Sequence, residues 1–359
     1  MNRLTAIGLA SLVAYGVLIA AKYTGVVSAA REERVPVAAA PVEPAQGTVV
    51  VTPPNPLPRA TTFTSFPAPV ARTEGNRVSG LAAEFRAARD LKAFADGLSA
   101  RGANLTADER YHLAKALEEC QFTTSINEDL ATYSAKQKRQ FIASLPTGDA
   151  LNEKRIAAYD AVDNTQRCLG FQNSNLSPKD VEATYRAAAM QGDARAQARL
   201  VTAELNKNLG KNPQTENSQN TAKPDDFSML IQLLDSKNPE ALLYVGQFLA
   251  QNAVTQQLRV GPNGEVPEPS AFLGAFSLVA CDIGQDCSSL HRDLQQACAY
   301  GSYCNAQSFE ELYQNFLASP WAYSQAMRYR ILIRSAIDQR NYALIGLTPK
   351  IANRDKSPQ

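Results

Sequence analysis

Five times after residue 79, a residue suited to capping a helix stands just ahead of a proline or an acid. Thr106 precedes Glu109, Ser177 precedes Pro178 and Asp180, Asn238 precedes Pro239, Ser308 precedes Glu311, and Ser319 precedes Pro320. The first turn of a helix leaves backbone N–H groups without partners. A Ser, Thr or Asn oxygen accepts from one of them, an acid three residues on reaches back, and proline loses no hydrogen bond in the first position. Apolar residues then recur at helical spacing. Leu81, Phe85, Leu91, Phe94 and Leu98 read as one stripe ending near Gly102, and Leu113, Leu117 and Cys120 share a face of the next segment. Hardly any stretch alternates as a strand would, so the pattern predicts an all-α fold. Two segments interrupt it. Residues 206–224, NKNLGKNPQTENSQNTAKP, read as a polar surface loop, and VGPNGEVPEP at 260–269 carries Pro-Asn-Gly turn chemistry. The two Asn-X-Ser/Thr sequons, at Asn104 and Asn175, coincide with helix starts and read as caps.

The chain ahead of this region has another character. LTAIGLASLVAYGVLIAA, Leu4 to Ala21, holds no charge and lies at the lower end of what spans a bilayer as a helix. It predicts an anchor over residues 1–22, single-pass in the inner membrane, with the folded part exported to the periplasm. The alternative is a signal peptide cleaved near Ala29, after Val27-Ser28-Ala29, and a secreted product. Residues 23–78 read as a disordered tether. Nine of the twenty prolines fall between 35 and 72, where fixed φ angles and missing donors favour an extended chain. An all-α domain then fills 79–351, and 352–359 is a frayed tail. A net charge of +1 gives no global field for nucleic acid, and no nucleic-acid partner is expected.

Within the helical region, Tyr185 to Leu200 reads YRAAAMQGDARAQARL. Ala188 and Ala189 let a neighbouring helix come close, Gly192 can end a helix in the left-handed conformation, and Ala196, Gln197 and Leu200 open a partner helix that packs back. This segment resembles the SEL-like repeat, a relative of the tetratricopeptide repeat, in its order of Ala-Ala, two residues, Gly, three residues, Ala-Gln, two residues, Leu. Elsewhere the likeness thins. Asn238-Pro239 through Gly246 resembles the start of a second partner helix, and Ala275-Phe276 through Gly284 a modified first helix, at uneven spacing. The resemblance implies an irregular α-hairpin stack, a solenoid-like architecture used most often as a scaffold for protein–protein contact.

Six cysteines behind an export segment predict disulfides. Cys120 and Cys168 each close a helical segment and read as one bridge. Cys281/Cys287 and Cys298/Cys304 each enclose five residues, and each pair has a Gly-containing turn, Ile283-Gly284-Gln285 or Tyr300-Gly301-Ser302, to swing the second cysteine back. Local pairing is the expected connectivity; the crossed alternative is Cys281–Cys298 with Cys287–Cys304. A zinc site completed by His291 is disfavoured, because structural zinc sites place about two residues between paired cysteines. The spacing also departs from that of thiol oxidoreductases. No motif implies a cofactor.

Catalytic signatures are sparse. There are two histidines, His112 and His291, and no nucleophile elbow, phosphate loop or His-Glu-X-X-His helix. A carboxylate-only envelope hydrolase acting on peptidoglycan or another glycan is the alternative to the scaffold. The adjacent acids Glu118-Glu119 and Glu310-Glu311 point about 100° apart on a helix and read as solvated faces. In SPWAYSQAMRYRILIRSAI, Arg328, Arg330 and Arg334 with Trp321 form a candidate partner-docking face; the competing reading is an amphipathic last helix with its arginines in water.

Overall fold

In the computed structural model of the chain, Asp90 divides the first apolar stripe into two helices, α1 (Gly80–Ala87) and α2 (Leu91–Ser99). Its carboxylate accepts from the N–H groups of Lys92 and Ala93, a cap that apolar spacing alone does not reveal. Arg167 seals the break from the other side, donating from Nη2 to the Phe85 carbonyl at 2.6 Å and from Nε to the Ala88 carbonyl at 2.8 Å. The structure describes residues 80–210, 224–288 and 291–347, all within the unit Phe66–Gln359. The expected anchor at Leu4 to Ala21, the tether and the tail lie outside the described residues. No helix among the described residues is long and apolar enough to cross a membrane.

The remaining helices follow their caps. They are α3 (Ala107–Cys120), α4 (Leu130–Ala143), α5 (Asn152–Val162), the short α6 (Asn164–Arg167), α7 (Pro178–Met190), α8 (Ala194–Gly210), α9 (Pro224–Asp235), α10 (Pro239–Asn252), α11 (Pro269–Asp282), α12 (Arg292–Gly301), the short α13 (Phe309–Leu312) and α14 (Pro320–Gln339). Thr106 with Glu109 and Ser177 with Asp180 form reciprocal capping boxes, and Asn238, Ser308 and Ser319 cap α10, α13 and α14. Among the described residues no strand forms; Val260 with Glu265 and Ser288 with Ser308 make isolated bridges. The expected loop at 206 starts later, because α8 continues to Gly210. Buried Leu205 holds its last turns inward, and Asn252 donates to the Asn206 side chain at 3.0 Å.

Packing runs in sequence order: α2 on α3, α3 on α7, α7 on α8, α8 on α10, α10 on α11 and α11 on α14. Gly192, at φ +87°, reverses the chain between α7 and α8. Ala188, Ala189, Ala196 and Ala198 are fully buried there, and Gln197 donates to the Ala189 carbonyl at 2.9 Å. The α10–α11 contact is apolar. Phe248, Phe272, Phe276 and Leu278 are buried, and Phe276 lies where a side chain at Gly246 would stand. Beside this series α5 packs on α12, where Phe141 stacks on Tyr159 with ring centres 4.4 Å apart.

Three disulfides staple the fold: Cys120–Cys168, Cys281–Cys287 and Cys298–Cys304. Gly284 takes the left-handed conformation expected of it, at φ +105°. After α12 that conformation falls on Ser302 instead, at φ +64°, and Gly301 ends the helix with the Tyr303 ring against it.

Candidate functional site

Three helices turn polar residues, one turn apart, toward a common space. On α3 these are Tyr111, Lys115 and Glu118, on α8 Arg195 and Arg199, and on α10 Glu240 and Tyr244. Positions four apart on a helix share a face, so each set is a ladder. The α7–α8 hairpin lies between α3 and α10 in the packing order, and long side chains bridge the gap above it. The Lys115 ammonium pairs with Glu240 Oε1, and the Tyr111 hydroxyl donates to the same oxygen at 2.5 Å. Arg199 donates to Glu118 Oε1, its Nε at 2.9 Å, while the Tyr185 hydroxyl donates to Glu118 Oε2 at 2.6 Å. Arg195 meets both Asp108 and Asp193 at 2.6 Å. Its guanidinium lies 3.9 Å from the centre of the Tyr111 ring, and that of Arg199 lies 4.3 Å from the centre of Tyr185, within cation–π range.

The result is a recessed furrow that is still wet. The Lys115 and Glu240 side chains keep 30% and 25% of their exposure although protein surrounds them. Burial by itself would raise the Glu240 carboxyl. The charges of Lys115 and Arg195, with the hydrogen bonds from Lys115 and Tyr111, outweigh it and hold the group down at about 2. Asp108 is likewise held well below the carboxylate range: burial opposes, and His112 and Arg195 prevail. Burial, then the charges of Glu240 and Glu118, push the Tyr244 phenol up to about 12. At neutral pH the furrow therefore presents ionised carboxylates, ionised bases and neutral phenols. Held down in this way, Glu240 is an ionised acceptor there, whereas a glycosidase demands that one of its two carboxyls be protonated.

The acids read as solvated faces have partners, and of Glu118, Glu119 and Glu310 it is Glu119 that is the most covered, while Glu310 stays 43% exposed. Glu118 belongs to the furrow, and Glu119, 13% exposed, accepts from Asn164 and pairs with Arg167 and Arg292. Glu310 accepts from Tyr323 and Arg330, and Glu311 accepts from the Gln307 N–H. The arginines of α14 also find carboxylates of their own chain. Arg328 donates to Glu265 at 2.8 Å, Arg330 to Asp282 at 2.9 and 2.5 Å, and Arg334 to Asp338 at 2.8 Å, while Trp321 is 60% exposed. They are not brought together as a row of unpaired cations. His291 caps α12, accepting from the Asp293 N–H at 3.2 Å, and His112 is buried with Nδ1 2.8 Å from the Asp108 carbonyl. No group of three or more His, Cys, Asp or Glu among the described residues is arranged to hold a metal ion.

Sequence reasoning missed the furrow. Its signal is the spacing of Tyr111/Lys115, Arg195/Arg199 and Glu240/Tyr244, each four apart, on helices whose apolar stripes leave one flank to polar residues. No protein-family model, curated protein or solved structure matches the chain.

Proposed function

We propose that this chain is a membrane-tethered, exported α-helical scaffold of the cell envelope, an irregular stack of hairpins with SEL-like character at Tyr185 to Leu200, and that a protein partner docks in the furrow. The carrying observation is the furrow itself: the ion pair Lys115–Glu240 joins α3 to α10 and Arg199–Glu118 joins α8 to α3 where apolar packing would otherwise stand, so the groups along it stay in reach of a partner. The uncharged run from Leu4 to Ala21 supports export, and three disulfides suit an oxidising compartment. The ionised state of Glu240 favours a binding surface over an acid-catalysed hydrolase.

The test is site-specific photo-crosslinking in cells making the full-length protein, with the photoreactive residue at Tyr244 and, as a control, at Arg334 on the far helix. Discrete adducts from position 244 that are missing from position 334 are expected. Absence of adducts at 244 would refute docking in the furrow.

A further inference from the structure

The hydrogen-bonding capacity of the furrow is not used up. Tyr111 and Lys115 both donate to Oε1 of Glu240, and its Oε2 has no partner among the described residues. One turn along α10 the Tyr244 hydroxyl has none among them either. Neither atom is sealed from water; the sealed and unpartnered side-chain atoms are Arg110 Nε, Asn152 Oδ1 and Arg292 Nε. An acceptor and a phenol thus lie open on the same face.

The local charge has a sign. Asp108, Glu118, Asp193 and Glu240 stand against Lys115, Arg195 and Arg199, which leaves one negative charge in excess. At the Tyr244 hydroxyl the same imbalance holds, since Glu240 and Glu118 each act on it more strongly than Lys115 or Arg199. Anions are therefore disfavoured and a cation is stabilised. The furrow also has a repeat: residues four apart on α3, α8 and α10 recur every ~6 Å along their axes. Alternate side chains of an extended peptide recur every ~6.6 Å, close enough for one strand to keep step over two or three positions.

We propose that Glu240 Oε2 and the Tyr244 face receive a basic side chain, lysine or arginine, carried by an extended segment of the protein partner. The inference rests on the scaffold reading and adds the chemistry of its partner. The incoming cation donates to Oε2 while Lys115 keeps Oε1, so the carboxylate is shared between them and its internal ion pair need not break. The two cations still repel, which makes Lys115 a brake on affinity.

The full-length protein is titrated by fluorescence anisotropy with three labelled nonapeptides, acetylated and amidated, in which alanine alternates with arginine, glutamine or glutamate. The arginine peptide is expected to bind about 10-fold or more tightly than the glutamine peptide, with the glutamate peptide weaker still and affinity falling as salt is added. Glu240→Gln should weaken the arginine peptide about 10-fold, a hydrogen bond to a charged group being at stake. Lys115→Met should tighten it about 3-fold by removing the competing cation, although it also removes an ion pair from the fold. A purely structural pair gives the same sign for both substitutions. Circular dichroism checks the fold of each variant, and Tyr244→Leu, with an expected loss of about 3-fold, replaces Glu240→Gln if that variant does not fold. Equal binding of the arginine and glutamine peptides, or weaker binding in Lys115→Met, overturns the proposal. Crosslinks at position 244 without any preference for the arginine peptide defeat the basic-residue inference alone; missing crosslinks defeat the scaffold reading beneath it.

Discussion

On one side α10 packs on α11, where Phe276 stands against Gly246 and Phe248, Phe272 and Leu278 are buried; on another it faces α3 through Lys115–Glu240 and Tyr111–Glu240. The apolar contact is drawn tight by Gly246, whose missing side chain leaves room for Phe276. Its strength is the area it takes out of water, about 25 cal/mol per Å². The charged contact is spanned by the long side chains of Lys115, Tyr111 and Glu240, and it gives back in desolvation most of what its ion pair gains. One helix thus carries a dry seam that supplies stability and a wet seam that supplies access. The stack needs the first to hold the second in register.

That contrast can be broken from either side. The largest effect is expected from Cys168→Ser, which frees Cys120 at the end of α3 and opens the 48-residue separation closed by this bridge. Chain-entropy reasoning gives a loss of about 4 kcal/mol, read as a fall in the urea midpoint. An unchanged midpoint would mean that the charged half needs no covalent support. Phe276→Ala should follow with about 3 kcal/mol, and Gly246→Val with about 2 kcal/mol, one emptying the apolar seam and the other overfilling it. Glu240→Gln should cost less, about 1 kcal/mol, because Lys115 keeps partial access to water. If it costs as much as Phe276→Ala, the wet seam is a core after all.

Acid provides the next probe. The Glu240 carboxyl is held at about 2 in the fold against an ordinary value of 4.5, so its contribution is present above about pH 4.5 and is lost as pH falls toward 2. Asp108 acts in the same direction. Urea midpoints should hold between pH 7 and pH 5 and then decline, more shallowly in Glu240→Gln than in the parent. Equal slopes would place the acid sensitivity elsewhere. The smallest effect is expected for Arg334→Ala, below about 0.5 kcal/mol by thermal melting, since its pair with Asp338 is an exposed one on a single helix.

Much of the helical layout is legible because it is local. Thr106, Ser177, Asn238, Ser308 and Ser319 each cap the helix they announce, and Gly192 makes the turn its position implies. Local geometry also accounts for the two short disulfides, where a six-residue separation leaves each cysteine near its partner. Asp90 shows where local reading fails. An apolar stripe continues through it, but a carboxylate that caps α2 and an arginine from 77 positions further along, Arg167, settle the break.

The amino-acid sequence by itself determined the all-α class and most helix starts, since each rests on interactions within about one turn of chain, and it favoured the local cysteine pairing that the structure then selected over the crossed one. Only the tertiary structure decided what the charged residues do. Glu118 and Glu119 are neighbours in sequence, yet one meets Arg199 from α8 and the other Arg167 and Arg292 from α6 and α12. The arginines of α14 follow one another along the chain, and each reaches a carboxylate of its own chain in space. A long side chain carries its charge several ångström from its backbone, and whether it ends in water or on a carboxylate depends on which helix arrives beside it. The furrow exists because α3 and α10, more than a hundred residues apart, come to stand on either side of one hairpin.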